Sequence, residues 1–259
     1  MRAVGVHADV VVVTSQVWQT SCTLVRGESE AFVIDSPVLP AELEALPSLA
    51  EQAGFDVAGL LATHADWDHL LGRIAFPDAA VGVAETTAAR LAAEPGAAQR
   101  ELRAFDQQHY LERERPLSLG QVQALPVPGR CAIGERELEL HPADGHTADG
   151  MAVAVPWSKC LVVGDYISPV EIPTVSAGGA LHAYLATLAR LRPLVEAADT
   201  VVPGHGAPLD REAALAVLGE DKDYLQALGE RGADAPLPPG RDTGEQRRIH
   251  GENARALAG

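Results

Sequence analysis

Apolar runs and polar breaks divide the chain into short elements. Val10-Val11-Val12-Val13-Thr14, Thr23-Leu24-Val25 and Ala31-Phe32-Val33-Ile34-Asp35 are β-branched runs interrupted by Gly27 and Pro37, and read as strands. Residues 40–52 set Leu43, Leu46, Leu49 and Ala50 near helical spacing, with Pro47 as an expected interruption. The run 57–63 is apolar enough for a buried strand and ends directly in a polar cluster. Residues 85–115 read as helix with a break at Pro95-Gly96, their outward positions taken by Arg, Glu and Gln. Further strands are expected at 122–125, 137–141, 151–155, 161–163 and 200–202, and helices at 181–191 and 210–228, the latter with Asp210 as N-cap. The order of strands and helices predicts two sheets flanked by helices, a layered α/β design.

The segment 232–240 has the composition of a linker. Beyond it a last helix is expected over 243–258, with Thr243 and Gln246 at capping-box spacing. The chain is therefore expected to comprise one domain, 1–229, and an extension, 230–259, whose helix docks on the body or on another subunit.

Composition narrows the function classes. The 259 residues carry 20 Lys+Arg against 36 Asp+Glu, a formal net charge of −16. Counterion release on a phosphate backbone needs clustered basic residues, so no nucleic-acid partner is expected. Aromatic residues make up only 4%, too few for a large base-stacking platform. Apolar residues make up 47%, enough for a full core, yet no apolar run approaches a membrane span. His7 and Asp9 fall where a signal peptide needs its uninterrupted apolar stretch. The three cysteines, Cys22, Cys131 and Cys160, are widely spaced and unpaired in pattern, which suits a reducing compartment. A cytoplasmic protein acting on a small molecule is expected, compatible with a homodimer.

The chemistry concentrates in Thr63-His64-Ala65-Asp66-Trp67-Asp68-His69, where four metal-ligand side chains follow a buried strand within six residues. A turn at a strand end directs such side chains into one cleft, whereas a regular helix or strand would divide them between faces. Three later sites share the context: Asp144-Gly145-His146 in a turn, Leu161-Val162-Val163-Gly164-Asp165 ending a strand, and Val201-Val202-Pro203-Gly204-His205 with glycines that let the backbone approach closely. Sheets of α/β proteins place their sites at such strand ends. A Ser-His-Asp site finds no G-x-S-x-G here, and the glycine patterns of nucleotide loops are missing too.

In these motifs the chain resembles the metallo-β-lactamase fold superfamily, its glyoxalase II-like metallohydrolases in particular. Five motifs appear in order over residues 10–210: Asp35, the cluster 64–69, His146, Asp165 and His205. The resemblance implies a four-layer αβ/βα sandwich, here with a C-terminal helical extension. It implies one metal ion on His64, Asp66 and His146, a second on Asp68, His69 and His205, and Asp165 between them. Asp66 departs from the family, which usually has His there. Zinc is expected first, and the added anion, which favours harder ions, makes iron or manganese the alternatives.

The implied activity is hydrolysis of a small ester, thioester or lactone by a metal-bridging hydroxide, with Asp68 as the catalytic carboxylate. Two alternatives stand: a diiron redox or oxygen-handling protein related to the flavodiiron branch, and a phosphodiesterase. Trp67, Tyr166 and Ser168 are the candidate substrate contacts.

Overall fold

Among the described residues, 1–258 of a computed structural model, thirteen strands build two sheets. The first follows chain order: β1 (Arg2–His7), β2 (Val10–Thr14), β3 (Ser21–Arg26), β4 (Ala31–Asp35), β5 (Val57–Ala62), β6 (Ala80–Ala84) and β7 (Val122–Leu125). Strands β1 to β4 pair antiparallel through short connections. From β4 to β7 the pairing is parallel, and each step crosses over through helix: α1 (Pro40–Gln52), then α2 (Gly72–Ala75), then α3 (Glu85–Ala93) with α4 (Ala97–His109).

The second sheet has the order β13 (Leu209–Asp210), β12 (Thr200–Val202), β11 (Cys160–Val162), β10 (Met151–Val155), β9 (Arg136–Pro142) and β8 (Gly129–Ile133). Its one parallel pair, β11 with β12, is joined through α5 (Leu181–Ala197). Two further helices follow, α6 (Arg211–Arg231) and α7 (Gly244–Ala258).

Period-two alternation sorts the strand residues into layers. In β4, Val33 faces the helices and Ile34 the other sheet; in β5, Leu60 and Leu61 divide the same way. Ile34 and Leu61 meet Leu138, Leu140, Met151 and Val153 in a core between the sheets. Outside the first sheet, Val33 and Leu60 pack against Leu43 and Leu46 of α1 and Phe105 of α4. Outside the second, Leu161 and Val201 pack against Leu188 of α5, Leu225 of α6 and Ile249 of α7. The result is the αβ/βα sandwich, and burial on both sheet faces explains why the central strands read as unbroken apolar runs.

Several elements differ from expectation. Helix α1 runs through Pro47 without a break. The 85–115 stretch ends as helix at His109, after a left-handed Gly96 separates α3 from α4. Asp210 caps α6 as expected, accepting from Ala213 N at 2.8 Å. At α7, Gln246 N donates to Thr243 Oγ1, but the Gln246 side chain turns away and accepts from Ile172 N at 2.8 Å, so half of the capping box forms. The extension is docked: Arg241, Gln246 and Asn253 are all buried. No helix of the described residues is long and apolar enough to cross a membrane.

Candidate metal centre

The parallel pairs aim their C-terminal ends at one rim. In the second sheet Val162 is in register with Val202, so Asp165 and His205, each three residues onward, leave neighbouring strands side by side. In the first sheet β5 runs out at Ala62, and the chain turns through residues 63–66 into a single 3-10 turn, Trp67–His69. His146 arrives on the turn 144–146 between β9 and β10. There Gly145 (φ 124°) lets the turn lie against α5, since a Cβ would sit 2.2 Å from Tyr184 N. The sheets are stitched at this rim by Ser21 N donating to Gly204 O and Met151 N donating to Thr63 O.

All seven candidate ligands converge here in two sets. His64 Nε2 lies 3.6 Å from Asp66 Oδ2 and 3.7 Å from Asp165 Oδ2, and His146 Nε2 lies 3.3 Å from each of those oxygens. On the other side, Asp165 Oδ1 is 3.1 Å from His69 Nε2 and 3.4 Å from His205 Nε2, and Asp68 Oδ2 is 3.6 Å from both nitrogens. A tetrahedral ion with bonds near 2.0–2.1 Å separates its ligand atoms by about 3.3 Å. Both sets have that spacing. His64 Nε2, His69 Nε2 and Asp165 Oδ1 are moreover buried without a hydrogen-bond partner among the described residues. Buried polar atoms are rarely left so, and a cation would satisfy them together.

The surrounding residues fix each imidazole with Nε2 inward. His146 Nδ1 donates to Thr174 O at 2.7 Å, and His205 Nδ1 donates to Trp18 O at 3.2 Å. His69 Nδ1 donates to Asp35 Oδ2 at 3.0 Å. His64 Nδ1 lies 3.0 Å from Thr63 Oγ1, which itself donates to Asp35 Oδ2. Asp35 thus serves two histidines from behind and holds a left-handed backbone (φ 59°) to do so. With each outer nitrogen carrying the hydrogen, the inner one presents a lone pair, the tautomer a metal requires.

Asp66 has its own partner. Its Oδ2 points at the first set, while its Oδ1 accepts from Arg90 at 2.8 Å. Arg90 also donates to Asp149, whose side chain is 1% exposed and whose Oδ2 accepts from Ala65 N. The Asp66 carboxylate therefore comes with a guanidinium that offsets its charge. Neither Arg90 nor Asp149 has any local sequence pattern to mark it.

Two of the expected substrate contacts are engaged with the protein itself. The Tyr166 hydroxyl is buried, accepting from His146 N and donating to Ala143 O, and Ser168 Oγ donates to His205 O at 2.7 Å. Both brace histidines and have no free face toward a ligand. Trp67 is half-buried and packs with Phe105 and Trp18, ring centroids 4.9 and 5.7 Å away. Trp18, 44% exposed on the β2–β3 loop, is a rim residue that the sequence did not single out.

A family model described as the metallo-beta-lactamase superfamily matches residues 15–205. The chain belongs to that superfamily. Among solved structures, a metallo-beta-lactamase family protein from Thermus thermophilus superposes with a TM-score of 0.71 at 21% identity, over 98% of this chain and 92% of that one. A metallo-beta-lactamase from Pontibacter korlensis gives 0.63 at 21% identity, over 84% and 98%. The DIM-1 metallo-beta-lactamase gives 0.62 at 20% identity, over 87% and 96%. No curated protein matches the chain by sequence. These likenesses establish the fold and a hydrolase-like framework carrying candidate metal ligands.

Electrostatics couple the centre to protons. Burial pushes the His146 and His205 imidazoles down, but Asp66 and Asp165 outweigh it for the first, and Asp165 and Glu171 for the second, raising them to about 9 and about 10. His69 is likewise raised well above its ordinary value, burial being outweighed by Asp165, Asp68 and Asp35. Without metal, the raised values of His146 and His205 favour their protonated forms at pH 7. Their contribution to stability is fully present below about 6.5, the unfolded value, and is lost as pH rises through 9 to 10. Metal must displace the same protons, so its affinity climbs over that interval. Calorimetric titration of zinc at pH 7 is expected to give heats that depend on the buffer's ionisation enthalpy, with release of two or more protons; buffer-independent heats would contradict it.

Gly204 offers a second test. A Cβ there would lie 2.1 Å from Asp165 Oδ1 and 3.0 Å from His69 Cε1. Gly204→Ala is expected to displace the central carboxylate and weaken metal binding roughly 10–100-fold. Circular dichroism should stay native while bound metal falls; unchanged metal content would refute this role.

Proposed function

We propose that the protein is a dinuclear metal-dependent hydrolase of a small ester, thioester or lactone. The observation that carries this reading is the set of four imidazoles whose inner nitrogens are paired off around Asp165, with carboxylates completing each set at tetrahedral spacing. When bound, two divalent cations supply Lewis acidity and a water whose pKa is lowered from 15.7 towards about 7. His64, Asp66 and His146 would hold the first and Asp68, His69 and His205 the second, with Asp165 shared. Asp68, buried in the 3-10 turn with Oδ2 facing His69 and His205, would orient the nucleophile and take its proton. Trp18 and Trp67 offer an aromatic wall for the acyl portion of a substrate. The three cysteines are free, in keeping with a reducing compartment such as the cytoplasm.

Zinc is favoured by the four imidazoles, while the Asp66 oxygen makes iron or manganese chemically acceptable. Metal quantification on protein grown without supplementation, followed by p-nitrophenyl esters, acyl thioesters, homoserine lactones and phosphodiesters, tests the reading. Turnover of a carbonyl substrate by the two-metal form is expected. Metal-loaded protein silent on the whole panel would sink it. Iron as isolated, with a visible band and oxygen consumption, would favour the redox alternative that Asp66 supports.

A further inference from the structure

The loop 167–175 leaves the rim after Asp165 and returns beneath His146 with no helix or strand of its own. It nonetheless carries Ser168, which braces His205, and Thr174, whose carbonyl accepts from His146 Nδ1. Its backbone groups are answered from the far end of the chain. Arg241 Nη1 donates to Ser168 O at 3.0 Å and to Glu171 O at 2.9 Å. Gln246 Oε1 accepts from Ile172 N at 2.8 Å. Asn253 donates to Pro173 O at 2.7 Å and accepts from Val175 N at 2.8 Å, gripping both sides of Thr174. Arg241 is itself held on α6 by Asp221 at 2.6 Å and Glu220 at 3.0 Å.

Arg241, Gln246 and Asn253 are 2%, 4% and 1% exposed. Burying three such polar groups is costly unless every hydrogen bond is made, and an apolar helix face would dock on α6 more simply. Their placement has a purpose if the loop must be held in one register. We propose that the C-terminal segment is a clasp of the metal centre, with Asn253 a positioning residue that sets the orientation of His146 through the Thr174 carbonyl. The inference rests on the metal-centre reading above. Groups that orient a metal-ligating histidine from behind typically change metal affinity 10–100-fold when lost. Because Asn253 acts on His146 and not on His69, the effect falls on one ion position.

The test uses the whole chain, zinc in competition with a chromophoric chelator, and nitrogen-15 spectra of histidine-labelled protein. Asn253→Leu is expected to weaken zinc at the His146 position 10–100-fold while the His69/His205 position stays within about twofold. The His146 Nδ1–H resonance should shift or broaden while that of His69, bonded to Asp35, persists. Ile249→Ala removes core packing from the same helix while leaving the side-chain hydrogen bonds of Gln246 and Asn253 to the loop in place; it should lower the melting temperature yet leave the ratio of the two affinities unchanged. Asn253→Asp, which keeps the acceptor for Val175 N, should show a smaller change in the same direction and serves if the leucine variant does not fold. Equal losses at both positions, matching Ile249→Ala, would overturn the clasp, as would unchanged affinities and spectra. Wild-type protein that takes up no zinc would instead overturn the metal-centre reading.

Discussion

Asp165→Asn is expected to leave the protein with at most one bound ion and to reduce its hydrolytic kcat/KM by about 10³-fold, roughly 4 kcal/mol of transition-state stabilisation. Asp165 is the carboxylate that faces both sets, Oδ2 toward His64 and His146 and Oδ1 toward His69 and His205. Burial pushes its carboxyl up, yet the His205, His69 and His64 imidazoles hold it well below the usual range. An amide keeps the shape and removes the charge, so a loss of metal cannot be put down to a cavity. Elemental analysis after gel filtration, with steady-state kinetics on the best substrate, checks it. Two tightly held ions with near wild-type rate would mean that Asp165 is not the shared ligand.

The second large effect is expected at Arg90. Arg90→Met keeps the apolar stem but leaves Asp149, almost wholly buried, with no cation beside it. Breaking a buried pair from one side costs about 3–5 kcal/mol, and the lower end applies because Arg90 is 22% exposed. Chemical denaturation of metal-free protein should show that loss; a change under about 0.5 kcal/mol would remove Arg90 from the structural account.

The same geometry makes an unusual forecast for Asp66→His, the change that restores the superfamily's usual residue. Arg90 would then keep Asp149 but lose Asp66, leaving more positive charge beside the first ion position. The single variant is expected to bind that ion more weakly than wild type, and adding Arg90→Met should recover affinity. Tighter binding by Asp66→His alone would show that the pair does not act as a unit.

What could be read from the chain follows physical lines. Strands β2, β4, β5 and β10 are buried on both faces and announce themselves as apolar runs. Strand β1 is an exposed edge, Arg2-Ala3-Val4-Gly5-Val6-His7, whose pairing with β2 replaces any apolar signal. Strand β6, Ala80-Val81-Gly82-Val83-Ala84, is small-residued because a Cβ at Gly82 would meet Leu61 at 2.9 Å, and that reason is invisible without its neighbour. Strand β8, Gly129–Ile133, likewise alternates with too few large apolar residues to stand out.

The candidate ligands could be picked out because each follows a strand end or turn and none has a comparable role in a core. Their supports were not. Arg90 and Asp149 are 59 residues apart, and Asn253 acts on a loop 78 residues before it. The bracing by Tyr166 and Ser168 was hidden for a related reason. Nearness to Asp165 in sequence marks them as close to the rim, but only the packed structure shows their hydroxyls already engaged from behind.

The seam between the sheets has a consequence for the life of the molecule. His64, Asp66, Asp68 and His69 come from one half of the chain, and His146, Asp165 and His205 from the other. On the proposed reading, ions seated there would act as a keystone, favouring the closed sandwich over any state in which the halves part by an amount that grows with the logarithm of free metal over its dissociation constant. On that reading the metal-free protein is expected to open more often, and to be cleaved faster by an added protease, than the metal-loaded protein. Metal supply would then set the lifetime of the fold as well as the occupancy of its centre.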